Sequence, residues 1–485
     1  MASKKKVLTS FFWRFGERIG AQLVSFIVSI VLARILAPTA YGTVAMVTVF
    51  TNILNVFVDS GMGVALVQKK DADDLDFSTV FYFNVVICSM LYIVMFFSAP
   101  LIASFYKTPE LVPLVRIMSL TLVISGVKNI QQAYISKKMM FKRFFFATLG
   151  GTIFSALLGI FLAYRGAGVW ALVVQQLSNS AIDTVILWIT VKWRPKWRFS
   201  FKRLKELFSF GWKLLVSALL DTAYDNVRSL IIGKVYTSAD LAYYDRAKKL
   251  PNIIIANINS SIDSVLFPAL SEAQDKVSSV KTIARRSIML STYIMAPFMM
   301  GLAACGQSII SIILTDKWLP SYPFMVIFCI TYMFYPVHTA NLNAIKAMGR
   351  SDIFLKLEII KKIVGIIAIL VTFKISVMAM AYSLLVTGVL SQIINSWPNK
   401  KLMDYSYLEQ LKDILPGILL AAFMGGCVYC VNFLNLSSIV KLIIQVPLGA
   451  VIYIGLSALF KLESFTYCWD MAKPVIQKVF KRKGD

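Results

Sequence analysis

Apolar runs of about 20 residues recur from one end of this 485-residue chain to the other. At a rise of about 1.5 Å per residue, each run is long enough to cross the roughly 30 Å hydrocarbon core of a bilayer as a helix. Only structures that satisfy their own backbone hydrogen bonds persist there, and for runs of this length that structure is the α-helix. Charged residues make up 15% of the chain and hydrophobic residues 58%, against about 25% charged in an ordinary soluble domain. The expected fold is therefore an all-α polytopic membrane protein.

Setting apolar runs against turn and charge signals gives about fourteen spans: 11–36, 41–67, 77–105, 111–135, 144–164, 167–191, 207–232, 240–270, 286–314, 322–347, 353–373, 376–396, 411–432 and 438–460. The apolar core behind Lys4–Lys6 is too long for a cleavable signal, so the first helix is expected to stay. The formal charge of +25 then sorts by loop. Clusters such as Lys137, Lys138, Lys142 and Arg143, or Lys276, Lys281, Arg285 and Arg286, fall on one side. The other side carries mostly single residues, among them Lys107, Arg165, Lys234, Lys317 and Lys374. The positive-inside rule puts both termini in the cytoplasm and reads the charge as topology, with no nucleic-acid partner. Arg246, Lys248 and Lys249 break the pattern, through a displaced span boundary or an outward-facing vestibule.

The longest basic connection, 192–206, alternates cations with Trp193, Trp197, Phe199 and Phe201, as an interfacial elbow on anionic headgroups would. It divides the chain into an N-terminal lobe, 1–191, and a C-terminal lobe, 207–396, followed by two further spans and a basic tail, 397–485. The second lobe opens as the first does: Arg34-Ile-Leu-Ala-Pro-Thr-Ala-Tyr-Gly42 faces Lys234-Val-Tyr-Thr-Ser-Ala-Asp-Leu-Ala-Tyr-Tyr244. A parallel repeat of this kind relates two pseudo-symmetric lobes around a central cavity.

Charge inside the spans is the main functional signal, because it costs about 2.5–3.5 kcal/mol per residue at a helix centre even on lenient scales. Arg14, Glu17 and Arg18 share one face of the first span. Arg14 can snorkel to headgroups, whereas Glu17 and Arg18 lie about a turn deeper. Span seven carries Lys213, Ser217, Asp221, Tyr224, Asp225 and Arg228 at helical spacing. Span two carries Asn52, Asn55 and Asp59, span four Lys128, Gln131 and Gln132, and span eight Asn252, Asn257, Asn259 and Asp263. Any one set is compatible with interhelical hydrogen bonds or ion pairs that hold a bundle together. Together they read as cavity walls. The cations Arg14, Arg18, Lys128, Lys213 and Arg228 suit an anionic substrate group. The amides Asn52, Gln131, Gln132, Asn257 and Asn259 suit neutral polar groups. The carboxylates Glu17, Asp59, Asp221, Asp225 and Asp263 are candidates for a coupling ion.

His338, Asn341, Asn343 and Lys346 follow Pro336 in span ten and are expected at a capped, solvent-facing helix end, with a proton-sensing histidine as the rival reading. Pro297 and Pro336 are expected to kink their helices. The six cysteines lie in or beside apolar segments and read as small packing residues. Cys427 and Cys430 have CxxC spacing without a second ligand pair, so no metal is expected. The chain holds no GxxxxGK[ST] loop, so no nucleotide cofactor is expected either.

Residues 33–46, Ala-Arg-Ile-Leu-Ala-Pro-Thr-Ala-Tyr-Gly-Thr-Val-Ala-Met, and 58–68, Val-Asp-Ser-Gly-Met-Gly-Val-Ala-Leu-Val-Gln, resemble the opening of bacterial polysaccharide exporters. These are the O-antigen and colanic-acid type flippases of the multidrug/oligosaccharidyl-lipid/polysaccharide (MOP) superfamily, whose fold is MATE-like. Gly233-Lys-Val-Tyr and Ala242-Tyr-Tyr-Asp-Arg-Ala-Lys-Lys-Leu250 are similar to the second-half signature. The resemblance implies a transporter, not an enzyme, in the bacterial inner membrane. It would move an undecaprenyl-diphosphate-linked oligosaccharide to the outer leaflet by alternating access, alongside a polymerase and glycosyltransferases. Arg14, Arg18, Lys213 and Arg228 would then meet the pyrophosphate. A cation-coupled small-molecule exporter of the same fold is the alternative. A membrane glycosyltransferase or polymerase is a weaker one, since every expected external loop is short.

Overall fold

A computed structural model of the chain describes residues 4–59, 62–470 and 473; side chains at 4–12, 14, 15, 17, 18, 59 and 210 lie outside that description. The described residues form eighteen bounded α-helices, a further helical stretch at 463–470 and two short 3-10 turns, with no strand. The helices are α1 (Lys4–Ile35), α2 (Pro38–Asp59), α3 (Met62–Gln68), α4 (Asp74–Tyr106), α5 (Leu111–Met118) and α6 (Leu120–Lys138). Next come α7 (Phe141–Tyr164), α8 (Val169–Thr190), α9 (Phe201–Val235), α10 (Ser238–Ala247), α11 (Lys249–Glu272) and α12 (Val277–Ile313). The last six are α13 (Tyr322–Tyr332), α14 (Tyr335–Ala347), α15 (Ser351–Thr372), α16 (Val377–Met403), α17 (Tyr407–Cys430) and α18 (Ser438–Leu459).

Eleven helical stretches among the described residues are long and apolar enough to cross a membrane. The fourteen spans expected from sequence exceed this by α1, α9 and α15. α9 and α15, of 35 and 22 residues, are long enough but carry charge within their apolar run, whereas α1, of 32 residues, contributes the apolar stretch Ile19–Ile35 among the residues whose side chains are described. Large apolar side chains turn outward along the spanning helices; Phe97 is 74% exposed and Val451 71%, as suits a surface solvated by lipid tails.

The chain forms two compact units, Met1–Ala242 and Tyr243–Asp485. In the first, α7 and α8 form a close hairpin, α1 lies along α7, α4 pairs with α6, and α9 packs on α2, α3 and α4. One core joins Met62, Leu66, Phe77, Ile130, Leu187 and Trp193. Cys88 is fully buried. A β-carbon on Gly126 would lie 2.7 Å from its sulfur, so glycine is what lets α6 approach α4 there. In the second unit the 37-residue α12 is the central post, against which α11, α13, α14, α17 and α18 pack. Leu270, Ile288, Val337, Tyr405 and Ile414 belong to its core.

Helix breaks follow local chemistry. Asp73 starts α4 with a capping box: its carboxylate accepts the Asp76 amide at 2.9 Å, and the Asp76 carboxylate accepts the Asp73 amide at 3.1 Å. Span ten is two helices, not one kinked helix. α13 ends at Tyr332, α14 begins at Tyr335, and Pro336 sits in the first turn of α14, where its missing amide proton costs nothing. Pro297 does lie inside α12. Span eight is likewise divided at Lys248, and Arg246 at the end of α10 is buried over the Trp318 ring at 5.0 Å. The two joints compared in sequence have the same length. α1 ends at Ile35 and α2 starts at Pro38; α9 ends at Val235 and α10 starts at Ser238.

Candidate functional site

Helix α9 carries the polar stripe of span seven through the first unit. Lys213, Ser217, Asp221 and Asp225 are exposed, Tyr224 is half-buried and Arg228 is buried at 8% exposure. Lys213 makes no ion pair among the described residues. Charges spaced in this way along 35 continuous helical residues cannot all reach a headgroup layer by snorkelling, since the stripe from 213 to 228 is itself about 22 Å long. A spanning helix with such a face borders water or an ionic ligand. The side chains of Arg14, Glu17, Arg18 and Asp59 lie outside the described residues.

Span four divides its candidates. Lys128 on α6 pairs with Asp183 on α8 at 3.2 Å, and both side chains are mostly buried, at 19% and 12% exposure. The second oxygen of Asp183 is buried with no hydrogen-bond partner among the described residues. Gln131 is fully buried and its amide donates to the Trp193 carbonyl at 3.2 Å, so it ties α6 to the elbow. Gln132 is half-buried and Asn52 on α2 is exposed. Asp183 escaped the reading of the sequence; a lone acid following Asn179 and Ser180 in the middle of an apolar run was its signal.

In the second unit, Asp263 on α11 accepts the Asn343 side-chain amide from α14 at 2.6 Å. Asn257 is exposed and bonds its own helix at the Ile253 carbonyl, 2.8 Å away. Asn259 is half-buried, with its side-chain oxygen unpartnered among the described residues. The end of span ten is not solvent-facing as expected. Asn341 is fully buried and Asn343 6% exposed. Asn341 donates to Gln410 at 2.8 Å and to Ser396 at 3.2 Å, and accepts from Asn399 at 2.7 Å. These four side chains join α14, α16 and α17 where an apolar contact was available, which makes their geometry specific. His338 Nδ1 lies 3.0 Å from the Asn395 side-chain nitrogen, which joins α14 to α16 at this level as well. The signal for this network was the pair Asn395 and Asn399, one turn apart in α16.

Outside the spans, the elbow is strapped to the start of α4. Lys196 pairs with Asp74 at 2.6 Å, the Trp193 indole donates to Asp74 at 3.2 Å, and Arg203 reaches Asp76 at 3.5 Å and Asp73 at 3.7 Å. Asp76, wholly buried, also holds Lys69 at 2.8 Å. The Asp76 backbone amide, with Arg203 beside it, holds the Asp73 carboxyl below the usual carboxylate range. No cluster of three or more potential metal ligands occurs among the described residues.

The family described as polysaccharide biosynthesis protein matches residues 31–323, more than half of the chain. The chain is 23% identical over 416 residues to the teichuronic acid biosynthesis protein TuaB of Bacillus subtilis (strain 168), covering 84% of this chain and 86% of that one. It is 23% identical over 392 residues to the lipopolysaccharide biosynthesis protein WzxC of Escherichia coli (strain K12), covering 79% and 77%. Among solved structures, the lipid II flippase MurJ in an inward closed conformation superposes with a TM-score of 0.72 at 16% identity, over 94% of this chain and 99% of MurJ. An inward-facing multidrug resistance MATE family transporter of the MOP superfamily superposes with a TM-score of 0.59 at 14% identity, over 79% and 94%. At these identities the structural likeness establishes the fold alone, that of a multi-pass helical membrane protein similar to MurJ and the MATE transporter.

Proposed function

The chain belongs to the polysaccharide biosynthesis protein family, and from that premise we propose that it is a flippase for a lipid-linked oligosaccharide. The substrate is an undecaprenyl-diphosphate-linked repeat, moved from the cytoplasmic to the outer leaflet by alternating access, with no covalent chemistry. Glycosyltransferases supply the repeat and a polymerase consumes it. The protein sits in the bacterial inner membrane with both termini in the cytoplasm.

The observation that carries this reading is the exposed charged stripe of α9, on a helix whose 35 residues exceed what a bilayer needs. A diphosphate headgroup is doubly anionic and cannot cross hydrocarbon unaided, so a helix that exposes Lys213 partway along its length, with Arg228 further on, suits it. Arg14, Arg18, Lys213 and Arg228 are assigned to the diphosphate, and Asn52, Gln132, Asn257 and Asn259 to sugar hydroxyls. Glu17, Asp59, Asp221 and Asp225 are assigned to the coupling ion. Lys128, Gln131 and Asp263 were candidates for the same roles. Each has a protein partner that shares its polar atoms, and each takes part where that partner is released; the same holds for Asp221, Asp225, Arg228 and Asn257, which also interact with other groups of the protein.

The test is headgroup movement. Proteoliposomes carrying a polyprenyl-diphosphate oligosaccharide, with and without a proton or sodium gradient, are exposed to an external glycosidase, and the accessible fraction is followed in time. Protein-dependent exposure of inner-leaflet sugar is the expected result. Transport of a cationic dye with no sugar exposure would replace this reading with the small-molecule exporter of the same fold.

A further inference from the structure

The elbow between α8 and α9 contains seven basic residues: Lys192, Arg194, Lys196, Arg198, Lys202, Arg203 and Lys205. The structure separates them by what they touch. Arg194 closes the end of α8, its guanidinium donating to the carbonyls of Trp188, Val191 and Trp193. Lys196 and Arg203 are neutralised by Asp74, Asp73 and Asp76. Lys192, Arg198, Lys202 and Lys205 are exposed, and their side chains make no ion pair or hydrogen bond among the described residues.

The aromatic residues divide in the same way. Trp193 is 8% exposed, stacked on Tyr134 at 5.9 Å within the core of the first unit. Trp197 is 93% exposed, though its ring also stacks on Tyr82 at 5.8 Å, and Phe201 is 79% exposed. The backbone between them is held in place: the Lys196 amide donates to Ser78 at 3.0 Å and the Ser200 amide to Thr79 at 3.2 Å, and both hydroxyl residues are fully buried. The exposed groups are therefore presented by a fixed strap that starts two residues beyond the end of a membrane-spanning helix that stops at Thr190.

We propose that this outward face of the elbow is a docking surface for anionic phospholipid headgroups, with Lys192, Arg198, Lys202 and Lys205 meeting phosphate and Trp197 and Phe201 seated at the headgroup–acyl boundary. Aromatic rings prefer that boundary, and cations beside an anionic leaflet are drawn to it. Charge complementarity selects the occupant: Asp73, Asp74 and Asp76 are held by Lys69, Lys196 and Arg203, and the four exposed cations of the elbow outweigh its one exposed acid, Glu206. The proposal is independent of the transported substrate. It makes the strap a lipid-anchored strut holding the start of α9 at the membrane surface.

The experiment uses the full chain in phosphatidylcholine vesicles carrying roughly 30 mol% of brominated phosphatidylglycerol or, in parallel, brominated phosphatidylcholine. The fluorescence of Trp197 is isolated by subtracting the Trp197→Phe protein. Brominated phosphatidylglycerol is expected to quench Trp197 at least about twofold more than brominated phosphatidylcholine, since one basic residue near an anionic surface shifts lipid occupancy by up to about fivefold. Replacing Lys192, Arg198, Lys202 and Lys205 together by Gln is expected to abolish that preference, with the Asp74–Lys196 strap intact. Equal quenching of Trp197 by the two lipids would overturn the proposal, and the membrane-fraction yield of the Trp197→Phe protein confirms that the subtraction is sound. Loss of the phosphatidylglycerol preference on adding a polyprenyl diphosphate would also overturn it, by assigning the surface to the substrate.

Discussion

Gly42 lies against the backbone of Ser238: a β-carbon on Gly42 would stand 1.7 Å from the Ser238 carbonyl oxygen and 2.9 Å from its α-carbon. The two residues occupy the two equivalent joints of the chain, Gly42 in the second turn of α2 and Ser238 at the first position of α10. The contact is reinforced nearby by the Lys234 amine, which donates to the Phe105 carbonyl and lies 4.5 Å from the Phe105 ring. The repeated sequence therefore meets itself in space, with glycine on one side because nothing larger fits.

Gly42→Ala is expected to destabilise the protein by about 1–3 kcal/mol, the usual range for overpacking, with the upper part of that range favoured because the obstacle is backbone and cannot swing aside. Thermal unfolding in detergent, monitored by tryptophan fluorescence, checks this. An unchanged midpoint would mean that α2 and the α9–α10 joint separate freely.

The Lys128–Asp183 pair predicts a non-additive cycle. Removing either charge alone leaves the other buried, and such losses run to about 3–5 kcal/mol. The double variant Lys128→Met with Asp183→Leu is expected to be more stable than either single variant. Melting temperatures of the three proteins decide the matter, and strictly additive shifts would show that the two groups act separately.

Acid sensitivity is expected at the start of α4. The folded-state pKa of Asp73 is depressed, above all by the Asp76 backbone amide. Its stabilisation is therefore present above the ordinary carboxylate range, and falls away as pH drops through the depressed folded value. Asp73→Ala is expected to cost about 0.5–2 kcal/mol near neutral pH, as for other lost helix caps, and less in acid. The stability difference between the two proteins, followed against pH, tests the sign. A gap that widens on acidification contradicts it.

Transport separates the cation assignments from packing. Arg18→Ala and Lys213→Ala are expected to lower headgroup translocation at least about tenfold, the scale of losing one charge-assisted phosphate contact of about 1.5–3 kcal/mol. Membrane insertion is expected to be unchanged. Flipping rates and membrane-fraction yields are measured side by side. If both variants transport normally, the diphosphate lies elsewhere.

The helical architecture was legible from sequence because a spanning helix is a local property: about 20 apolar residues in a row decide it without help from the rest of the chain. The basic, aromatic character of the elbow was legible for the same reason, whereas the equal length of the joints after Ile35 and Val235 came only with the structure. Helical spacing also showed that Lys213, Asp221 and Asp225 share a stripe, and α9 runs unbroken through all three. What spacing supplies is the face of a helix, not what the face meets. Lys128 finds Asp183 55 residues away. Trp193 turns inward to Asp74 while Trp197, four residues on, remains outside. Asn341, expected at a solvated helix end, is buried among side chains from α16 and α17. Only the tertiary structure decides these pairings, because whether a polar group in a membrane protein is satisfied depends on the neighbouring helix, and no period within one helix encodes its neighbour.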